Sequence, residues 1–416
     1  MSFFHGNYRD SILSSFNTSA PLKRLSRHGS HRTQLSQKTA FQGLQCTGCH
    51  SSYSKGEILQ KCRKCGGLLD TIINPEILSE KSKDEIDSTR SMWRFRDFLP
   101  VDSEDKIVSA GEGDTPLRKL SSLQGNVWVK DETRNPTGTF KDRGASCAIT
   151  ALTRLGVKNL VLASEGNAGC SFALYSQIAK ARCRVFLPRQ VNSAKQELSR
   201  KMGARVTLVE GTIADAGRSA EAVVKSERSY NASTFVTPYR HDGKGTMALE
   251  ICEQLGWRTP DWIVYPLGGG VGLVGMWKMF SILEKIGWIK KRPRLVAVQP
   301  AGCAPVVTAY NSKREDVDEW KNPETIAFGL KIPKPLAGKW ILRSLRESGG
   351  IALSVTDEEI RKSMGQALKD EGLLLEPSSA ATIAALPHLY GEKMIDRSEE
   401  VVVIATGSGL KTLEQL

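Results

Sequence analysis

Lys141 follows a turn and opens a predicted helix, a position that suits a charged lysine poorly. Asn135-Pro136-Thr137-Gly138 is a turn signal, because proline fixes φ and glycine permits backbone that side chains forbid. Ala145, Ala148, Ile149, Leu152 and Leu155 then recur at three- and four-residue spacing, which predicts a helix starting near Lys141. Helix N-termini favour anions over cations. An uncharged lysine fits there, for example one joined as an imine to an aldehyde. A solvated surface lysine is the competing reading in a chain with 58 Lys and Arg, so the rest of the sequence must decide.

Four loops offer what such an amine would need. Ser164-Glu165-Gly166-Asn167-Ala168-Gly169 enters a predicted helix. Its small residues allow close backbone approach, its helix N-terminus can hold a carboxylate, and Asn167 offers a neutral amide to a ring hydroxyl. Gly268-Gly269-Gly270-Val271-Gly272 also enters a helix and exposes consecutive N–H groups to a phosphate. It lacks the Gly-Lys-Ser/Thr ending of a P-loop and has no acidic residue about 20 positions on, as a dinucleotide site would. Thr406, in Thr406-Gly407-Ser408-Gly409, offers a hydroxyl to a ring nitrogen, and Arg240 is a candidate clamp for an anionic substrate group. An amine, an anion nest, an amide and a neutral hydroxyl are the parts that hold pyridoxal 5'-phosphate.

Alternating strands and helices must position these loops. The pattern predicts strands at 126–129, 160–163, 184–187, 205–209, 234–236, 262–266, 295–298, 351–355 and 401–405. Helices are predicted after Lys141 and at 168–180, 194–202, 214–227, 245–255, 273–286, 357–371 and 378–389. Such alternation implies an α/β fold of doubly wound parallel sheets covered on both faces, with sites beyond the carboxyl ends of strands.

Ahead of this region, Cys46-x-x-Cys49 and Cys62-x-x-Cys65 have the spacing of a tetrahedral zinc site, and four thiolates would leave no open coordination position. The expected organisation is a basic tail at 1–43, a zinc-ribbon-like module at 44–72, a linker at 73–105 and a catalytic region at 106–416. Trp93, Phe95 and Phe98 in the linker read as a docking cluster for the next domain. The tail has six basic residues against the single acid Asp10. It reads either as a transit peptide for a mitochondrion or plastid, or as a disordered extension of a cytoplasmic protein. The nine cysteines are odd in number and mostly scattered, which argues for a reducing compartment. No run of about 18 apolar residues suggests a membrane span. The net charge of +13 admits nucleic acid or an anionic substrate, but no dense basic run with interleaved aromatics favours the former.

Lys130-Asp-Glu-Thr-Arg-Asn-Pro-Thr-Gly-Thr-Phe-Lys141-Asp-Arg-Gly144 resembles the cofactor-lysine motif of threonine synthases, in the fold-type II family of pyridoxal-phosphate enzymes. Gly111 to Leu117, Ser164 to Gly169, the glycine loop and Ala405 to Lys411 resemble that family too, in the same order. The resemblance implies two α/β domains with the site between them, the smaller at about 145–240. It implies that Lys141 forms the Schiff base and shuttles protons, and that Phe140 and Asn167 meet the ring. Gly268, Gly269, Gly270, Val271 and Gly272 would hold the cofactor phosphate, and Thr406 the pyridine nitrogen. Ser164, Gly166, Asn167 and Ala168 would hold the substrate carboxylate, and Arg240 a substrate phosphate. The implied reaction makes threonine from O-phosphohomoserine, and the expected assembly is a homodimer.

Two departures bear on the substrate. Thr234, Phe235 and Thr237 stand where the family often has an Asn-Ser and Asn-Pro pattern, and the glycine loop is closer in style to serine/threonine dehydratases. A dehydratase-like lyase or β-replacement enzyme is therefore the second reading. A zinc-ribbon nucleic-acid protein with an inactive enzyme-like domain is the third.

Overall fold

The structure is a computed structural model and describes residues 39–415. The reading of the tail at 1–43 lies almost wholly outside those residues. Its end is an exception, because strand β1 (Phe41–Cys46) begins inside it. β1 pairs antiparallel with β2 (Ser52–Tyr53) and β3 (Leu69–Ile73). Part of the expected linker is structured: α1 (Pro75–Ser79) is capped by Asn74, and short 3-10 turns bury Trp93, Phe95 and Phe98. The aromatic cluster docks as expected. Phe98 meets Trp288 edge-on at 5.4 Å, and Trp93 Nε1 donates to Glu112 and Ser146, each at 2.8 Å.

The next elements are β4 (Leu117–Lys119), β5 (Asn126–Asp131), α2 (Lys141–Arg154), β6 (Asn159–Ala163), α3 (Asn167–Ile178), β7 (Arg182–Pro188) and α4 (Ser193–Lys201). They are followed by β8 (Arg205–Val209), α5 (Ile213–Glu227), β9 (Tyr230–Asn231), α6 (Arg240–Gln254), β10 (Trp262–Pro266) and α7 (Val271–Lys285). The chain closes with β11 (Arg294–Pro300), α8 (Pro305–Asn311), α9 (Gly338–Glu347), β12 (Ile351–Val355), α10 (Asp357–Glu371), α11 (Pro377–Ala384), α12 (Leu386–Gly391) and β13 (Glu400–Ala405).

These strands form two α/β sheets. One has the order β12-β11-β10-β13-β5-β4, parallel except for β4, and the other is β8-β7-β6-β9, all parallel. Strands of the larger sheet are apolar on both faces. Ile263 and Tyr265 of β10 pack into one core, and Trp262 and Val264 into another. Helices cover both sides, which is why these strands read as continuous apolar runs.

Two expectations fail in one place. The strand predicted at 234–236 is instead a turn, and the pairing strand is β9 at Tyr230–Asn231. The following helix begins at Arg240, five residues earlier than predicted. The glycines of His241-Asp242-Gly243-Lys244-Gly245 look like loop residues, but α2 crosses α6 at Gly243 and α7 packs on α6 at Gly245. A Cβ at Gly243 would lie 2.2 Å from the Arg143 carbonyl oxygen, and one at Gly144 would lie 2.8 Å from the Arg240 carbonyl oxygen. Close helix packing, not a turn, requires glycine there.

Candidate active site

Sheet register brings the loops together. Ala405 of β13 pairs with Asp131 of β5, and Val403 pairs with Val264 of β10. The carboxyl ends of three adjacent strands therefore deliver the Lys141 loop, Thr406 and the glycine loop to one place, with the Ser164–Asn167 loop arriving from β6. Phe140 N–H donates to the Thr406 carbonyl at 3.0 Å, and Thr139 Oγ1 donates to the same oxygen at 2.9 Å. A cavity of about 750 Å³ opens there. Its lining includes Phe140, Lys141, Ser164, Asn167, Ala168, Arg240, Gly268, Gly269, Gly270, Val271 and Thr406. Gly166 and Gly272 serve the walls instead. A Cβ at Gly166 would lie 2.6 Å from Lys195, and one at Gly272 would lie 2.2 Å from the Tyr265 hydroxyl.

The rest of the lysine motif builds a buried ion network beneath the cavity. Arg143 pairs with Glu132 and Glu250, and Lys130 pairs with Glu250, each at 2.7 Å and each fully buried. Thr115 donates to Glu132 at 2.6 Å, tying in the Gly111–Leu117 motif. Burial would raise the Glu250 carboxyl, but Arg143 and Lys130 outweigh it and hold it well below the usual range. Asp142 accepts from Thr137 N–H and Oγ1, both at 2.7 Å, closing the turn before Lys141. The lysine is thus presented by a loop fixed at both ends.

Lys141 is the first residue of α2, which has no side-chain cap. Its Nζ lies 4.1 Å from the Phe140 ring centroid. Burial, and next the charge of Arg240, lower its pKa to about 7. Such an environment makes an amine available near neutral pH. At the glycine loop, Gly270 caps α7 with φ +76° and without a side-chain acceptor, so the first N–H groups remain open to a ligand. Thr406 Oγ1 lies 3.2 Å from Ser379 Oγ. Ser164 Oγ accepts from Gly166 and Gly169 N–H at 3.0 and 2.9 Å and so braces its own loop.

Several cavity residues were missed in the sequence. Glu376, just ahead of α11, accepts twice from Asn167 Nδ2 at 2.8 Å and lies 3.3 Å from Lys195 Nζ. Burial would raise its carboxyl, yet Lys195 and Lys411 outweigh that and keep it below its ordinary value. Gly407 makes room for it, since a Cβ there would sit 2.3 Å from Glu376 Oε1. Lys244 is the second omission. It follows Arg240 by one helical turn, lines the cavity and lies 5.3 Å from the Phe140 ring centroid. Burial, then the charges of Arg240 and Lys141, push it well below its ordinary value. The i,i+4 spacing from Arg240 would have flagged it had the helix start been read correctly. Glu165 also faces the cavity, with Oε2 unpaired, and burial pushes it up to about 7.

The site fits pyridoxal phosphate on its own chemistry. It has a lysine amine held near neutrality, an uncapped helix behind a glycine run, a neutral hydroxyl at a strand end, and a buried Asn167 Oδ1 with no partner. The fold and site together define a pyridoxal-phosphate-dependent enzyme, and residues 108–407 match the family model described as "Pyridoxal-phosphate dependent enzyme". Solved structures agree on the fold. A processed threonine deaminase isoform 2 from Solanum lycopersicum is 22% identical with a TM-score of 0.62, covering 72% of this chain and 86% of that one. A serine racemase from Dictyostelium discoideum is 27% identical with a TM-score of 0.59, covering 71% and 92%.

Full-length relatives narrow the class. Threonine synthase of Methanocaldococcus jannaschii is 38% identical over 375 residues, 88% of this chain and 92% of the relative. That of Methanosarcina acetivorans is 35% identical over 377 residues, with the same shares covered. The chain belongs to the threonine synthase family of these lyases.

The four cysteines of the N-terminal module also converge. Their sulfurs lie within 4.8 Å of one another, with Cys46–Cys65 at 3.4 Å and Cys49–Cys62 at 3.5 Å. Ligands about 2.3 Å from a tetrahedral zinc would be roughly 3.8 Å apart. Gly48 and Cys49 N–H groups both point at Cys46 Sγ, at 3.4 and 3.5 Å. No described helix is long and apolar enough to cross a membrane.

Proposed function

We propose that this enzyme converts O-phosphohomoserine and water to threonine and inorganic phosphate, by γ-elimination followed by β-addition. The observation that supports this reading is a pair of buried cations, Arg240 and Lys244. They line the cavity on one face of α6, and neither pairs with a carboxylate among the described residues. A buried charge without a counter-ion is costly, and a substrate phosphate supplies that counter-ion. Arg240 Nη1 donates to the Ala232 carbonyl at 3.0 Å, which aims the guanidinium, while Nε is buried without a partner.

Pyridoxal phosphate, when bound, supplies an electron-withdrawing ring that stabilises negative charge developing on the substrate's carbon chain. Gly268 to Val271 would hold its phosphate, Asn167 its ring hydroxyl and Thr406 its ring nitrogen. A hydroxyl at that nitrogen, in place of a carboxylate, would leave it largely unprotonated and so would moderate the electron sink. Lys141 Nζ takes the α-proton and relays a proton to the carbon chain, a task suited to an amine with a pKa of about 7. The Asn167 and Ala168 N–H groups at the start of α3 receive the substrate carboxylate, while Ser164 takes the Gly169 N–H and braces that loop. Arg240 and Lys244 stabilise the departing phosphate.

The deciding experiment measures phosphate release from O-phosphohomoserine against ketoacid release from threonine. Phosphate release should dominate; ketoacid release alone would assign the chain to the dehydratase-like reading. We also propose one structural zinc on Cys46, Cys49, Cys62 and Cys65, a homodimeric assembly, and a reducing compartment such as the cytoplasm. Metal analysis and light scattering test the first two.

A further inference from the structure

The zinc-ribbon-like module takes no part in the chemistry above, yet it grips the cavity wall at two places. On one side, Gln60 Nε2 donates to the Asn231 carbonyl at 2.9 Å, and Tyr230 Oη donates to the Leu59 carbonyl at 3.1 Å. These bonds hold the end of β9 in the smaller sheet. On the other side, β3 holds the start of α6. His241 Nε2 lies 2.6 Å from Asp70 Oδ1, and Thr71 Oγ1 donates to Asp242 at 2.7 Å. Lys278 of α7 joins them, reaching Asp70 at 2.7 Å, Asp242 at 2.8 Å and the Thr71 carbonyl at 2.7 Å. Asp70, His241 and Asp242 could resemble a metal site, but the Lys278 ammonium already stands where a cation would. The cluster is therefore a partly buried ion network joining three elements.

Between the two grips runs 232–239, the connection from the smaller sheet to α6. Ser233, Thr234 and Val236 along it, and Arg240 at the head of α6, line the cavity. Phe235 adopts φ +56°, a left-handed backbone that a side chain disfavours, and its ring stacks on His241 at 6.2 Å and 25°. The histidine that supports this turn is the one Asp70 holds.

We propose that the module is a clamp on the connection between the two α/β domains, with Gln60 and Asp70 as positioning residues that fix Arg240 in the cavity. The Leu59 and Gln60 contacts set where the connection begins and the ion network sets where it ends, and the Arg240–Ala232 bond transmits that placement to the guanidinium.

Asp70→Asn and Gln60→Ala, made in the full chain loaded with cofactor, test the clamp. Asp70→Asn keeps shape and removes charge, whereas Gln60→Ala leaves the Asp70–His241–Asp242–Lys278 ion network intact. Hydrogen–deuterium exchange in peptides spanning 230–243 should speed up roughly ten-fold in each variant, with β10 and β13 unchanged. Inhibition by inorganic phosphate should weaken by a similar factor, while the cofactor absorption band stays. The inhibition arm rests on the proposed phosphate site; the exchange arm does not, so the two can fail separately. Unaltered exchange at 230–243 in Gln60→Ala would overturn the clamp, as would acceleration spread evenly over the chain. Should Asp70→Asn fail to fold, Gln60→Ala decides alone.

Discussion

Replacing Lys244 with methionine should weaken recognition of a phosphorylated substrate far more than it disturbs the fold. Lys244 faces Arg240, Lys141 and the Cys147 thiol, and burial with the two cations pushes it well below its ordinary value. The empty site therefore holds the Lys244 proton less tightly than water would. A phosphate dianion reverses that balance by supplying counter-charge, so Lys244 takes up a proton as the anion binds. A hydrogen bond to a charged group contributes about 1.5–3 kcal/mol, and each 1.4 kcal/mol or so is ten-fold in affinity. KM for O-phosphohomoserine should rise by roughly 10- to 100-fold. Methionine keeps the unbranched stem beside Gly144 and removes an amine that is costly to bury, so thermal stability should hold or increase. Steady-state phosphate release measures KM, and calorimetry with inorganic phosphate in buffers of different ionisation enthalpy counts the protons taken up. The wild type should take up more than the variant. A KM within about two-fold of wild type, together with equal proton uptake, would refute the reasoning.

Other perturbations have equally definite outcomes. Glu250→Gln removes the negative charge shared by Arg143 and Lys130 and should destabilise the protein by about 3–5 kcal/mol in denaturant unfolding; a loss below about 1 kcal/mol would mean the buried network is dispensable. In cofactor-free protein, Lys141 is a free amine only above its lowered pKa of about 7, so the rate of pyridoxal-phosphate capture should climb with pH through about 7; a climb centred near an ordinary lysine value would contradict that environment. Gly270→Ala places a Cβ 2.3 Å from Ile341 at φ +76°, so the variant should lose cofactor on dialysis that wild type withstands.

The sequence was most readable where local and global signals agree. Strands β10, β12 and β8 are apolar or β-branched runs bounded by turn residues, and they appear where predicted. Lys141, Asn167, Thr406 and the glycine run were legible because each follows a strand end, and register brings strand ends together. The start of α6 was not legible. Its glycines signal a loop to any local rule, and only the packing of α6 against α2 and α7 explains them. That error hid Lys244. Glu376 was hidden for a different reason: its partners Asn167 and Lys195 are about 200 residues away in sequence, and nothing local marks the contact. The ribbon's cysteine spacing was plain, but its grip on Asn231 and His241 depends on tertiary contacts that spacing cannot reveal.

The central claim is that Lys141 anchors the cofactor. The most direct measurement is the visible absorption of purified, cofactor-loaded protein before and after borohydride, followed by mass spectrometry of the peptide containing residue 141. The account predicts a band that borohydride abolishes, a cofactor adduct on Lys141, and no covalent linkage in Lys141→Ala. An adduct on Lys244 or Lys195, or a borohydride-sensitive band that persists in Lys141→Ala, would contradict it.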